Sequence, residues 1–375
     1  MKSPNDVIII GGGIIGCSIA YRLAQAGCAV TVVDKGQPGQ EASWAAAGML
    51  TPNADAFHAI PETLSELSFA SHDLYPDFIT ELEEETRLKI GYQTTGSVCV
   101  ACDFNEAQIL AGLVERQIRA NRKADEIARA DFHRFLPGIA ERVEVAVFLP
   151  DDSYVNNREL MNALVAACQK RGVAFRTQSP VTGLISQDSQ VLGVNLPAEQ
   201  LCADVIVNTA GCWSGSIPLP ASLKLPVKPV RGQMICLEKQ PQLLQHLVHS
   251  SFCYFVPWPD GRILLGSTLE NAGFNKVVTA QGVHSLLHAA LEILPVLKEA
   301  RIRETWAGLR PGTPDDLPIL GTTSLDNFIV ATGHYRNGIL LAPITAKLIT
   351  ELILSGKPSA SLAAFRLDRF LKKAV

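Results

Sequence analysis

Long apolar runs are missing from this chain. None of its 375 residues sits in a stretch of the ~18 or more apolar residues that a bilayer-spanning helix needs. Runs of lysine or arginine are missing too, and the net charge is −4. Neither nucleic acid nor an anionic membrane surface is therefore an expected partner. The nine cysteines are scattered, and Cys99-Val100-Ala101-Cys102 is the only CxxC. No second pair or histidine pair stands at zinc-finger spacing, and the alternating stretch around Cys99 reads as a strand with structural cysteines. His284 and His288 lack the glutamate of a zinc-protease helix, and His246 and His249 are equally unsupported, so all four read as ordinary helix or loop residues. No metal site is expected. No internal repeat and no low-complexity linker occurs. The N-terminal apolar run has a weak basic start and carries glycines in its middle, so it does not read as a signal peptide. These absences predict a soluble, cytoplasmic protein with reduced thiols.

Hydrophobic residues make up 47% of the chain, enough for a large interior divided between two intimate domains. Val7-Ile8-Ile9-Ile10 is a short apolar run, and Gly11-Gly12-Gly13-Ile14-Ile15-Gly16 follows at once. A helical stretch from Ile14 to Ala26 carries Ile15, Ile19 and Leu23 on one face, with Gly27 as its cap. A second apolar run, Val30 to Val33, ends in Asp34, 18 residues after Gly16. Strand, glycine turn, helix, strand and acid in this order predict a dinucleotide site. Gly11 permits the turn, Gly13 lets the backbone approach a pyrophosphate, and Gly16 lets the helix pack close. The helix N-terminus offers N–H groups to the phosphates, and Asp34 accepts from a ribose.

Further along, helical patterning runs over 65–88, 105–130, 157–171 and 282–294. Strand patterning runs over 91–102, 143–149, 173–175, 181–185, 203–211, 225–237 and 252–268, with a hairpin signal at Pro259-Asp260-Gly261. Phe328 to Gly333 is a strand and turn, followed by a helix from about Ile339 to Leu354. Three strands thus end in glycine turns, at Gly11, Gly211 and Gly333. One parallel sheet gathers such ends around one ligand. The expected class is α/β: a Rossmann-like domain with a parallel sheet, discontinuous over 1–85, 145–215 and 300–375, and a substrate domain with a largely antiparallel sheet over 86–144 and 216–299.

Only one GxGxxG is present, whereas flavoproteins that also use NADPH often carry two. Glu41 to Met49 is rich in small residues, which let a flat ring run close to the backbone. With Ile8 to Gly16, Ser43 to Leu50, Trp306 to Thr313 and Gly333 to Pro343, nearly the whole chain resembles the glycine oxidase branch of the D-amino-acid oxidase family. The resemblance implies non-covalent FAD. It places Ile14 and Ile15 along the pyrophosphate turn and Asp34 and Lys35 at the ribose. The family often has glutamate at the Asp34 position, and the shorter acid still reaches the hydroxyls. Ala42, Ser43, Ala47, Gly48 and Met49 would line the cofactor, with Val181 on the adenine side. Gly211 and the turn His334, Tyr335, Arg336, Asn337, Gly338, Ile339 and Leu340 would close around it. His58 is not at a position the family uses for covalent attachment.

At the reacting end, Arg310 sits in Leu-Arg-Pro-Gly-Thr and reads as lying in a turn after a strand. A guanidinium is a rigid fork that binds a carboxylate through two bonds. The resemblance assigns that clamp to Arg310, places Arg336 by the active site and Tyr254 on the substrate side, and uses Met49 as a wall. The N-terminus of the helix near Ile339 would face flavin N1. The implied reaction turns glycine, sarcosine and small D-amino acids into keto acid, ammonia and hydrogen peroxide with oxygen as acceptor. In the family this supplies glycine imine for the thiazole of thiamine, and relatives form tetramers, so a homo-oligomer is expected. A D-amino-acid dehydrogenase using a quinone and a non-catalytic flavin-binding subunit remain alternatives.

Overall fold

The computed structural model describes residues 6–52, 57, 61–220 and 223–370. His58 lies outside the described residues.

Val7 to Ile10 have no polar side chain to place in water, and all four are buried in the strand Asp6–Ile10. Burial on both faces is the habit of a parallel strand covered by helices. Its neighbours are Ala29–Val33 on one side and Val205–Asn208 on the other, both parallel to it. Ala174–Arg176 extends the sheet beyond Ala29–Val33, and Phe328–Thr332 extends it beyond Val205–Asn208. The antiparallel strand Ile319–Thr322 closes that edge, giving six strands. The strands preceding Gly11, Gly211 and Gly333 are therefore neighbours that run the same way. Their three glycine ends meet on one side of the sheet, as the parallel arrangement requires.

The helix Ile14–Gln25 packs on one face of this sheet beside Asn157–Lys170 and Ala342–Ser355, in a core that includes Ile9, Ile19, Leu23, Leu164 and Leu348. The other face packs Ile8, Ile10, Ile206 and Val330 against Val191 and Val194 of a three-stranded antiparallel sheet.

A second, eight-stranded sheet is mostly antiparallel. Its order runs Arg301–Gly312, Lys228–Glu238, Arg262–Gly266, Tyr254–Pro257, Leu247–His249, Ser97–Ala101, Val145–Leu149 and Asp125–Glu126. The strands starting at Val145 and Arg301, which the sequence boundaries put with the nucleotide unit, both pair here. One face of this sheet packs Ile235, Phe255 and Leu265 on Leu286 and Ile293 of the helix Ala280–Ile293.

Several expected elements change length for local reasons. The stretch 65–88 is two helices, Glu62–Asp73 and Tyr75–Thr86, because Pro76 in the second helix's first turn has no N–H to continue the first. The helix beginning at Phe104 stops at Arg119, two residues before Asn121 takes the left-handed region at φ 55°. The strand expected at 181–185 is Gly183–Gln187, which leaves Val181 before it. The last helix begins at Ala342, not Ile339, and Pro343 occupies its first turn.

Candidate active site

Between the two sheets lies a cavity of roughly 1000 Å³. That is the upper end of ordinary ligand sites, with room for a long ligand and a small second one. Of the cofactor and substrate residues expected from sequence, every one borders it except Gly16; Gly333, the third glycine end, does not border it either. Gly16 has a packing role instead: a Cβ there would lie 2.0 Å from the Gly11 carbonyl oxygen.

At the nucleotide end, Gly11 turns at φ 103° and its Cβ would meet the Thr209 carbonyl at 2.7 Å. Asp34 braces this turn: Oδ2 accepts from the Gly12 N–H at 2.7 Å and Oδ1 from the Gly36 N–H at 2.7 Å. Of the N–H groups in the first helical turn, which have no acceptor within the helix, that of Ile14 donates to Ser43 Oγ at 2.9 Å. Ser43 is thus a cap as well as a lining residue. Lys35 pairs with Glu41 at 2.6 Å and stands 3.8 Å from the centre of the Trp213 ring. Lys276 reaches the same carboxylate at 2.9 Å. Burial pushes the Glu41 carboxyl up, but the two ammonium groups hold it below its ordinary range.

The small-residue segment runs through the middle. Asn157 donates to the carbonyls of Ser43 and Trp44 at 2.6 and 3.0 Å, and Trp306 Nε1 donates to the Ala45 carbonyl at 3.0 Å. These contacts pin the segment between the two sheets without putting a side chain into the cavity.

The reacting end is a sheet face. In an antiparallel ladder directly paired residues point to the same side, and side chains alternate along each strand. Arg310 pairs with Val230, Gly308 with Gly232, and Trp306 with Met234; Met234 pairs with Gly266, Gly266 with Tyr254, and Tyr254 with His249. All of these share the cavity face. The glycines are gaps over which longer side chains lie. A Cβ on Gly232 would sit 2.2 Å from Arg310 Nη1, and one on Gly266 would sit 2.4 Å from the Tyr254 hydroxyl. Arg310 donates from Nη2 to Ser267 Oγ at 2.6 Å and from Nη1 to the Thr268 carbonyl at 3.3 Å. The Tyr254 hydroxyl donates to Met234 Sδ at 3.2 Å.

Two expectations are corrected here. Arg310 lies within the strand Arg301–Gly312 rather than in a turn after it; that strand is a sheet edge, where Pro311 is tolerated. The backbone from Asn337 to Leu341 is a hydrogen-bonded turn, with Leu341 N–H donating to the Asn337 carbonyl at 2.8 Å. The helix N-terminus itself, at Ala342, is set back from Ile339, the position expected to face flavin N1.

His249, read from sequence as an ordinary residue, stands in the cavity wall beside Tyr254, with ring centroids 6.5 Å apart. Its Nε2 is buried with no hydrogen-bond partner among the described residues. Only the strand register reveals it. Burial holds His249 down to about 4 and His334 down to about 3, so both are neutral above pH 6. Burial pushes Asp152 the other way, up to about 7. Unfolded histidines take up protons near 6.5 while these two do not, so their contribution to stability is lost as pH falls from there towards their folded values; Asp152 acts oppositely. Replacing His249 with asparagine is expected to flatten the fall of the unfolding free energy, read from urea titrations, between pH 6.5 and 4.5 by on the order of 1 kcal/mol per pH unit. An unchanged slope contradicts a neutral, buried His249.

Residues 6–352 match the family model for DAO, the FAD dependent oxidoreductases. The chain belongs to this family of FAD-dependent oxidoreductases. The flavoprotein is 34% identical to glycine oxidase of Pseudomonas putida over 94% of its own length and 95% of that protein's. The crystal structure of glycine oxidase from Geobacillus kaustophilus superposes with a TM-score of 0.93 at 31% identity, covering 98% of this chain and 99% of that one. The bifunctional protein ThiO/ThiG of Trichormus variabilis is 38% identical over 373 residues. The flavoprotein spans only 56% of that protein's length. The residues present fit FAD: the turn at Gly11, braced by Asp34, opens onto the cavity at one end, and Arg310 stands at the other. No described helix of the flavoprotein is long and apolar enough to cross a membrane, and no described cluster of His, Cys, Asp or Glu is arranged to hold a metal ion.

Proposed function

We propose that this oxidoreductase oxidises the carbon–nitrogen bond of small α-amino acids, glycine first, then sarcosine and small D-amino acids. The observation that carries the reading is the Arg310 fork on the same cavity as the nucleotide turn. Arg310 takes the substrate carboxylate through two charge-assisted bonds. Tyr254 exchanges its bond to Met234, a weak acceptor, for one to the same carboxylate. Met49 forms the wall, and Arg336 stands over the Tyr335 ring, 5.1 Å from its centre, at the border of the cavity. A carboxylate held at two atoms leaves the α-carbon one orientation, and orientation carries much of the rate. FAD, held without a covalent bond, would supply two-electron oxidation of the C–N bond, with dioxygen as the final acceptor and hydrogen peroxide as the product. Water then splits the imine into the keto acid and ammonia, or methylamine where the substrate is sarcosine.

Asp34 and Lys35 face the ribose in this reading, Val181 the adenine, and Gly211 and His334 to Leu340 the rest of the cofactor. The unit built on the parallel sheet holds FAD and the unit built on the eight-stranded sheet holds the substrate. Similarity to glycine oxidases supports the substrate class, and similarity to ThiO/ThiG supports supply of glycine imine to the thiazole of thiamine; a homo-oligomer such as a tetramer, in the cytoplasm, completes the reading. The test is the purified, FAD-loaded protein in air with glycine, sarcosine, D-alanine and D-proline. Peroxide formed in step with amine loss is expected. Bleaching of the flavin without peroxide in air would assign a quinone acceptor instead, and no bleaching by any amine would remove the oxidase reading.

A further inference from the structure

The strand that carries Arg310 does not hold its guanidinium. The two hydrogen bonds on it come from Ser267 and Thr268, just past the end of the strand Arg262–Gly266. What fixes this ledge is a network between the strand Lys228–Glu238 and the residues after Gly266, of which Thr268, Glu270 and Thr279 also border the cavity. Arg231 and Gln233 alternate with Gly232 and therefore point away from the cavity face. Arg231 and Glu270 exchange backbone bonds at 2.9 and 3.0 Å, continuing the ladder past Gly266. Thr268 Oγ1 accepts from the Gln233 N–H at 2.8 Å and donates to Glu270 Oε1 at 2.5 Å. Gln233 Nε2 donates to the same carboxylate oxygen at 2.7 Å, and Arg231 Nη2 pairs with Oε2. Arg231 also donates from Nη1 to the Val277 carbonyl at 3.1 Å, and Gln233 Oε1 accepts from the Thr279 N–H at 2.8 Å.

One carboxylate thus accepts from three side chains on three different chain positions. The Arg231 side chain is only 8% exposed, and Glu270 is its ion-pair partner among the described residues, so removing that carboxylate would leave a buried charge uncompensated. Burial pushes the Glu270 carboxyl up, but Arg231, Thr268 and Gln233 together hold it below its ordinary range, so it is ionised at neutral pH. Both Nη atoms of Arg231 and both oxygens of Glu270 are bonded, while Arg231 Nε is buried with no partner among the described residues; a network held at this many points is rigid. A long side chain such as arginine gains most from a rigid seat, because its rotor freedom is otherwise lost only when substrate arrives.

We propose that Thr268 and Glu270 are positioning residues: the Arg231–Glu270–Thr268 network sets the Ser267–Thr268 ledge, the ledge aligns the Arg310 fork, and the alignment sets the site's affinity for a carboxylate. This rests on the reading of Arg310 as the carboxylate clamp. Neither residue needs to touch the substrate.

The test uses the FAD-loaded protein and acetate, which is glycine without its amine, titrated against the absorbance of the bound flavin. Thr268→Val keeps the branched shape and removes both hydroxyl bonds. It is expected to raise the acetate Kd about tenfold, the cost of misaligning one charge-assisted bond. Thr268→Ser restores the hydroxyl and is expected to return the Kd to within about twofold of wild type, a readout that lost packing alone would not give. Glu270→Gln is expected to weaken acetate as Thr268→Val does; if it fails to fold, the threonine pair carries the test. In an Arg310→Ala background the effect of Thr268→Val is expected to vanish, because residues that act through one group are not additive.

An equal effect of Thr268→Val in both backgrounds would overturn the proposal. So would wild-type acetate affinity in Thr268→Val when Arg310→Ala alone has lost it, and in that case the clamp reading would stand. If Arg310→Ala binds acetate as wild type does, the clamp reading fails and the proposal falls with it.

Discussion

Arg310→Ala is expected to raise KM for glycine by about ten- to a hundredfold at the least, with FAD still bound. A charge-assisted hydrogen bond contributes ~1.5–3 kcal/mol, and each 1.4 kcal/mol is a factor of ten. The fork offers two such bonds to one carboxylate, so the lower bound corresponds to the loss of one. The substitution leaves FAD alone, because Arg310 belongs to the eight-stranded sheet while the turn at Gly11 belongs to the other. It also leaves Gly232 beneath an empty space rather than a clash. Arg310→Lys restores charge without the fork and is expected to recover only part of the affinity, since an ammonium cannot bind both oxygens in a plane. Steady-state kinetics over a glycine series give KM, and the flavin absorbance of the purified variant gives cofactor content. Unchanged KM would take Arg310 out of the clamp.

Gly16→Ala is expected to damage the nucleotide half severely. Its Cβ would stand 2.0 Å from the Gly11 carbonyl oxygen and 2.6 Å from Thr209 Oγ1. Both neighbours are tied down: Thr209 Oγ1 donates to the carbonyls of Ile10 and Gly11 at 2.9 and 2.8 Å. The helix Ile14–Gln25 must therefore move off the strand and carry its first-turn N–H groups away from the pyrophosphate. Overpacking against backbone costs ~1–3 kcal/mol or more, so FAD affinity is expected to fall by up to about a hundredfold, with part of the protein recovered colourless. Gly36→Ala is the control, since its Cβ would meet only Asp34 Oδ1 at 3.8 Å. FAD-to-protein ratios after gel filtration separate the two. Full FAD content in Gly16→Ala would contradict the close packing of helix and strand.

The parts of this molecule legible in the sequence are those whose cause is local. The run Val7 to Ile10, the turn at Gly11 and the return to Asp34 lie within one strand–helix–strand unit, and their geometry follows from neighbours in the chain. The gathering of the Gly11, Gly211 and Gly333 ends was also legible, because each strand carries its own glycine signal and parallel sheets collect such ends on one side. The helix breaks were marked by residues already present. Pro76 and Pro343 each sit in a first turn, which is where proline belongs, so each announces a start rather than an interior.

The cavity face of the eight-stranded sheet was much less legible. Tyr254 and Arg310 stand out in their own segments, but the pairing of Tyr254 with His249 across a short turn, and of Gly232 with Gly308 between strands far apart in sequence, is a matter of register. A shift of one residue would turn every one of these side chains to the opposite face. Ser267, Thr268 and Glu270 carry no local pattern at all. Their significance comes from the ladder to Arg231 and Gln233, 35 to 39 positions away in the bonded pairs and set by pairing alone.

The most direct measurement is a crystal structure of the FAD-loaded protein soaked in acetate. The account predicts both carboxylate oxygens on the Arg310 fork, within hydrogen-bond distance of the Tyr254 hydroxyl, with the methyl carbon turned towards the flavin. Arg310 directed into bulk solvent, or acetate bound elsewhere in the cavity with the fork unused, would contradict it.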